Sequence, residues 1–267
     1  MPPSRQGDEQ ASRRPLLEIV VPAYNEERRL PGGLLQLCAK LARLPFPSAV
    51  IVVDNDSTDS TAAIVEAWPE GPVPVRLATC PIPGKGAAVR AGLSLTKAPL
   101  VGFCDADMAT DLDAIDVAVG LLLSGERVVI GSRAHAFSDV ENRHSKVREL
   151  GAVGFRALAR LLVRGVSDTQ CGFKFFDGPL AREVAAELAV TGFAFDVELL
   201  ARCVRRGSAV LEIPVQWRDM PGSRFSPARH SADILLELAR IWVRLRNDSR
   251  SRAKPAWEQP LDPVGYP

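Results

Sequence analysis

The chain has 267 residues, 46% hydrophobic and 24% charged, and its 33 Lys and Arg balance 32 Asp and Glu to a formal net charge of +1. Such proportions describe a folded protein with material for one large α/β domain or two small ones. They exclude a polycationic nucleic-acid binder, and no apolar run approaches the ~18 residues of a membrane-spanning helix, so neither nucleic acid nor an anchor of that kind is expected.

Residues 1–15 are polar and proline-bearing, with no apolar stretch of signal-peptide type, and are expected to form a disordered tail on a protein that is not secreted. From Leu17 the pattern is strand, loop, helix, repeated. Leu17 to Val21 is a β-branched run ending at Pro22, followed by a helix over about Glu26 to Leu44 with Leu30, Leu34, Leu37 and Leu41 at helical spacing. Ala49 to Val53 is the second strand, closed by an acidic turn, after which Asp59 or Ser60 can cap a helix running to Trp68. Val73 to Leu77, Leu100 to Cys104 and Val128 to Gly131 supply three more strands, with helices over Ala87 to Leu95 and Leu112 to Leu123 between them. Strands apolar on both faces and alternating with helices predict a single, mainly parallel mixed sheet covered on both sides.

The second half is more helical. Lys146 to Val163 carries an apolar stripe through Leu150, Val153, Leu158 and Leu161, and Ser231 to Arg246 repeats it through Ile234, Leu238, Ile241, Trp242 and Leu245. Both stripes are flanked by arginines, so each suits either an anionic membrane surface or the core-facing side of a late helix. The domain is expected to span residues 16–246, with 247–267 a second disordered tail. Five scattered cysteines, with no CxxC and no Cys/His cluster, read as reduced cytosolic thiols.

Three strand ends converge on chemistry. Asp105-Ala106-Asp107 directly follows the strand Leu100 to Cys104, where two hard oxygen donors can hold Mg²⁺ or Mn²⁺, which favours carboxylate plus substrate phosphate. The alternative is that both aspartates cap the next helix. Asp54 to Asp59 places three carboxylates in six residues after the second strand, suited to base and ribose donors or to turn and cap roles. Pro22-Ala23-Tyr24-Asn25-Glu26 occupies the equivalent place after the first. Pro83-Gly84-Lys85-Gly86 opens a helix and offers backbone N–H groups and an ammonium to an anion, though it is neither a P-loop nor a dinucleotide fingerprint.

In chain order, these segments resemble a family-2 glycosyltransferase of the GT-A fold, and within it the branch that glucosylates dolichyl or polyprenyl phosphate. The matching runs include Val20 to Glu27, Ile51 to Asp59, Gly84 to Gly92, Asp105 to Thr110, Gly131 to His135, Asp168 to Phe175 and Phe195 to Leu200, and extend to Gly222-Ser223-Arg224. The resemblance implies a nucleotide-sugar donor, UDP-glucose, held along Pro22, Ala23, Tyr24, Glu26 and Asp54 with Lys85 beside it. It places the donor diphosphate at Asp105, Ala106 and Asp107, with Asp105 and Asp107 binding the metal. It puts Arg133 and Arg224 on phosphates and Asp168, Gln170, Asp196 and Arg133 at the reaction centre, and the bidentate fit of guanidinium to phosphate adds Arg143 and Arg148 to Arg133 and Arg224 as clamps for an anionic acceptor. It further implies inversion at the anomeric carbon and peripheral association with the cytoplasmic face of a membrane. Three positions depart from the family's usual residues: Asn55 and Asp56 where an acidic residue and a glycine are usual, and Met108 where glycine is usual.

Two other readings compete: a soluble family-2 transferase with a small-molecule or protein acceptor, and a nucleotide-sugar-binding module without catalysis. The intact Asp105/Asp107 pair argues against the second. The overall neutrality also hides an uneven distribution, because residues 127–164 hold eight basic side chains against three acidic ones. Acidic residues gather instead at Asp54 to Asp59 and Asp105 to Asp116.

Overall fold

A computed structural model describes residues 14–141, 155, 158–219 and 236–247. Strands β1 (Leu17–Ala23), β2 (Ser48–Asp54), β3 (Val75–Thr79), β4 (Leu100–Cys104), β5 (Val128–Ser132), β7 (Phe173–Asp177) and β8 (Leu211–Pro214) form one sheet in the order β3-β2-β1-β4-β7-β5-β8. All neighbours pair in parallel except β7, which runs antiparallel to both β4 and β5. Strands β6 (Asp139–Glu141) and β9 (Gln216–Arg218) add a separate two-stranded parallel ribbon, which the sequence pattern does not announce.

Side chains alternate between two apolar layers, as a sheet buried on both faces requires. Val20, Val53, Phe103, Ile130 and Phe176 face one layer, covered by α3 (Lys85–Leu95), α5 (Gly178–Glu187) and α6 (Phe195–Arg205). Ile19, Val21, Val52, Phe173 and Phe175 face the other, covered by α1 (Leu30–Leu41), α2 (Thr61–Glu66) and α4 (Ala114–Leu123).

Several boundaries differ from the periodic expectation for local reasons. Helix α1 begins at Leu30, because Glu26 to Arg29 form a turn in which the Glu26 carbonyl accepts from both Arg29 and Leu30, and Pro31 suits the first helical turn. Strand β3 begins at Val75 because Pro74 has no N–H to give to a ladder. Of the two caps offered for α2, Asp59 serves: its Oδ1 accepts from the Thr61 amide at 2.9 Å, whereas Ser60 makes no side-chain cap.

The core-facing reading of the late helices holds where residues are described. In helix 236–247, Leu238, Ile241 and Leu245 are buried in the main core, while Leu236, Trp242 and Val243 face outward. Ala159 and Val163 are buried in the same core and Leu161 points away from it. Among the described residues no helix is long and apolar enough to cross a membrane, and all five cysteines are free thiols.

Candidate active site

The parallel strands β1, β2, β4 and β5 end on one edge, and strand order reverses between β1 and β4, which places a crevice outside their carboxyl ends. Antiparallel β7 starts on that same edge: Phe173 pairs with Cys104, and the Asp105 amide donates to the Gly172 carbonyl at 3.0 Å. Segment 168–172 is thereby carried into the crevice that β4 feeds with Asp105 and Asp107.

The loops after β1 and β2 are stitched together. Asn25 Oδ1 accepts from the Thr58 amide at 2.7 Å, the Asn25 amide donates to Ser57 Oγ at 2.9 Å, and the Glu26 amide donates to Thr61 Oγ1 at 2.8 Å. Asp54 Oδ2 accepts from the Ser57 amide at 3.2 Å, but its Oδ1 is buried with no hydrogen-bond partner among the described residues. A buried acceptor left open in this way suits an N–H of a bound base. Asn55 is spoken for: its Nδ2 donates to the Cys80 and Ile82 carbonyls and its Oδ1 accepts from the Gly84 amide at 2.9 Å. Asp56 and Met108, standing where glycine is usual, both keep a left-handed backbone, with φ of 60° and 46°.

The acidic pair sits among cations. Lys85 Nζ contacts Asp105 Oδ1 at 2.5 Å, and Arg29 Nη1 stands 3.6 Å from Asp107 Oδ2 while its other nitrogens hold Glu26. Burial pushes the Asp105 carboxyl up, but the ammonium of Lys85, with Lys174 and Arg133 beyond it, outweighs this and holds it below the ordinary carboxylate range. Burial and the neighbouring Asp105 carboxylate push Asp107 the other way. Neither residue caps α4: Asp107 Oδ1 accepts from the Ala109 amide at 3.2 Å, and α4 has no side-chain cap. The ribbon strand β9 pins the chain between Asp107 and α4, with the Asp111 amide donating to the Gln216 carbonyl and the Arg218 amide to the Ala109 carbonyl, both at 2.9 Å.

Arg133 and Asp168, to which the resemblance assigns partly different tasks, form one bidentate pair. Arg133 donates through Nε at 2.7 Å, Nη2 at 2.9 Å and its amide at 3.0 Å, and its guanidinium stands 5.5 Å from the Trp217 ring centroid. Against the opposing effect of burial, that guanidinium holds the Asp168 carboxyl at about 2. Gln170 anchors to Asp168 through its amide at 3.1 Å, and its Nε2 is buried with no hydrogen-bond partner among the described residues. Asp196, in the first turn of α6, is buried against Lys174 Nζ at 2.7 Å, and burial raises its carboxyl against the pull of Lys174 and Lys85.

The structure therefore gathers Asp54, Lys85, Asp105, Asp107, Arg133, Asp168, Gln170 and Asp196 into this crevice and its walls. Pro22 and Ala23 end β1 beside Val53 and Asp54, Tyr24 is half exposed next to them, and Ala106 is buried between the two aspartates. The Glu26 carboxylate is taken by Arg29. Arg143, Arg148 and Arg224 lie outside the described residues. One expectation is narrowed: of the amides at the start of α3, those of Gly86 and Ala87 donate to the Thr191 carbonyl at 2.8 and 3.3 Å, and that of Gly84 just before it donates to Asn55 Oδ1, so they are not open to an anion.

Two contributors escape a reading by motif. Lys174 is fully buried, donates to the Cys171 carbonyl at 2.6 Å and pairs with Asp196. Its signal lies in Phe173-Lys174-Phe175-Phe176, where a lysine takes an alternate position facing a core layer and so needs a buried counter-charge. Arg29, linking Glu26 to Asp107, carries no such signal, since an arginine ahead of a helix reads as solvated.

Asp105 and Asp107 fit a divalent cation. They are two hard carboxylate donors two residues apart, Asp107 held up by burial and then by the charge of Asp105, a repulsion that a bound cation relieves. Among the described residues no group of three or more His, Cys, Asp or Glu forms an all-protein cage. That donor set matches Mg²⁺ or Mn²⁺ completing its shell with substrate phosphate and water.

Comparison with known proteins bears on the family and the fold. The glycosyl transferase family 2 model matches residues 18–184. The dolichyl-phosphate beta-glucosyltransferase of Drosophila melanogaster is 38% identical over 243 residues, covering 85% of this chain and 74% of the relative. That of Homo sapiens is 35% identical over 226 residues, covering 79% and 70%. Glucosyl-3-phosphoglycerate synthase from Mycobacterium tuberculosis, solved in complex with Mn²⁺ and UDP-glucose, superposes with a TM-score of 0.59 at 22% identity, covering 89% of this chain and 84% of that one, a likeness of fold.

Proposed function

The chain belongs to glycosyl transferase family 2, and from that premise we propose that it transfers glucose with inversion from UDP-glucose to dolichyl or a related polyprenyl phosphate. The observation that carries the reading is the Asp105/Asp107 pair at the end of β4, with the cations of Lys85, Arg29 and Arg133 acting on it and the open oxygen of Asp54 at the end of β2 on the same edge of the sheet. The 28–38% identical relatives named for dolichyl-phosphate glucosylation support the choice of acceptor.

Asp54 Oδ1 accepts the imide N–H of the uracil. Asp105 and Asp107 would hold Mg²⁺ or Mn²⁺, which when bound would supply Lewis-acid stabilisation of the departing diphosphate. Lys85 adds positive charge on the same side. A lipid phosphate is already anionic near neutral pH, so it needs orientation and cations more than a base. Asp196, buried against Lys174, therefore serves to position a sugar hydroxyl and is not needed as the base. Asp168 keeps the Arg133 fork fixed, and Arg133 presents positive charge to the acceptor. In-line attack on an α-linked donor yields a β-linked product. The outward Trp242, Val243 and Leu161, with arginines beside them, suit peripheral contact with the cytoplasmic face of the membrane.

The test supplies the purified protein with radiolabelled UDP-glucose, UDP-galactose or GDP-mannose, polyprenyl phosphate and Mn²⁺, and follows label into the organic phase. Label from UDP-glucose alone is expected there. Glucose reaching only a water-soluble product would overturn the lipid acceptor and leave the family assignment standing.

A further inference from the structure

The Asp105 carboxylate lies against the backbone of Gly172, and its Oδ1 is covered by Lys85 Nζ at 2.5 Å. A divalent cation using that oxygen would meet an ammonium at contact distance, so Lys85 must leave first. The other carboxylates that act on it already have cations: Asp196 is engaged by Lys174 at 2.7 Å, and Asp107 stands 3.6 Å from Arg29 Nη1. Lys85 itself starts α3 on a turn that cannot shift easily, because Gly84 has a φ of 118° and its Cα abuts the Thr191 carbonyl, where a Cβ would come within 2.2 Å. The side chain can swing but its root is fixed. A replacement anion must therefore arrive with the ligand, and a nucleotide diphosphate brings one.

We propose that Lys85 is a stand-in cation on Asp105 that makes divalent-metal binding depend on the nucleotide diphosphate. This rests on the metal and nucleotide reading of the site. Without nucleotide, the ammonium competes with the metal for Asp105. With nucleotide, Lys85 moves to the diphosphate and frees the oxygen. By linkage, the metal strengthens nucleotide binding by the same factor as nucleotide strengthens metal binding.

The experiment titrates metal-free full-length protein with Mn²⁺, with and without saturating UDP, and reads bound metal by water-proton relaxation enhancement, which separates protein-bound from merely nucleotide-bound Mn²⁺. Wild type is expected to bind Mn²⁺ at least about tenfold more tightly with UDP, within the usual range of coupling between sites. Lys85→Met should bind Mn²⁺ alone about tenfold more tightly than wild type and lose most of the enhancement by UDP. Lys85→Arg, which keeps a cation, should retain the weak metal-only binding. If circular dichroism shows Lys85→Met unfolded, Lys85→Gln carries the same expectation. Metal-only affinity in the neutral variant no higher than in wild type, or equal enhancement by UDP in both, overturns the role of Lys85 alone. Wild type that binds no Mn²⁺ even with UDP overturns the reading of the site, and Lys85 with it.

Discussion

A Cβ built on Gly172 would stand 2.0 Å from Asp105 Oδ2 and 2.1 Å from its Cγ, so the carboxylate keeps its orientation only because that position has no side chain. Gly172→Ala should rotate Asp105 out of place and lower Mn²⁺ affinity in the presence of UDP about 10- to 100-fold, as loss of a supporting contact to a metal ligand does. The measurement is a Mn²⁺ titration on variant whose circular dichroism matches wild type; unchanged affinity would show that Asp105 does not need that seat. Lys174 makes the complementary point for charge. Its ammonium is buried beside Asp196, and the two lysines and two aspartates at positions 85, 174, 105 and 196 alternate in sign, so no member is left as an isolated buried ion.

The decisive element is β7. A fully parallel sheet would place the segment before Phe173 at the opposite edge, far from Asp105; running antiparallel between β4 and β5, β7 instead delivers Asp168, Gln170 and Gly172 to the carboxyl ends of the parallel strands. Helix 236–247 closes the same side of the molecule. Glu237 accepts from the Ala194 amide at 3.2 Å, just ahead of α6, while Leu238, Ile241 and Leu245 fill the core. Ile241 is fully buried and Trp242 about half exposed with Arg246 over its ring, so the two should respond differently to truncation. Ile241→Ala should cost about 2–4 kcal/mol in urea unfolding and Trp242→Ala less than about 0.5 kcal/mol. Equal losses would mean that the helix does not seat its stripe on the core.

At the scale of the whole molecule, stability in acid should depend on the Arg133–Asp168 pair. Asp168 titrates at ~3.9 in an unfolded chain and at about 2 in the folded one, so its ionised contacts, chiefly with Arg133, contribute about 2–3 kcal/mol at neutral pH. The sign follows from a depressed native value: the contribution is complete above the unfolded value and disappears as pH falls through the native one. Unfolding free energies of wild type and Asp168→Asn should differ at pH 6 and converge towards pH 2; a constant gap would show that Asp168 is not ionised against Arg133. The alternation of strands and helices, the sheet buried on both faces and the acidic triplet at the end of β4 were legible in the residues alone, because periodicity and strand-end position are local properties of a chain. The motifs also named Asp54, Lys85, Asp168 and Asp196 individually. What each of them touches was not legible. The union of Arg133 with Asp168, the cover of Lys85 over Asp105, the burial of Lys174 on Asp196 and the loss of the α3 amides to Thr191 all join residues between 20 and 105 positions apart. Only the tertiary structure decides such pairings, since which charge meets which depends on strand order and direction, and no local pattern records that β7 turns back between β4 and β5.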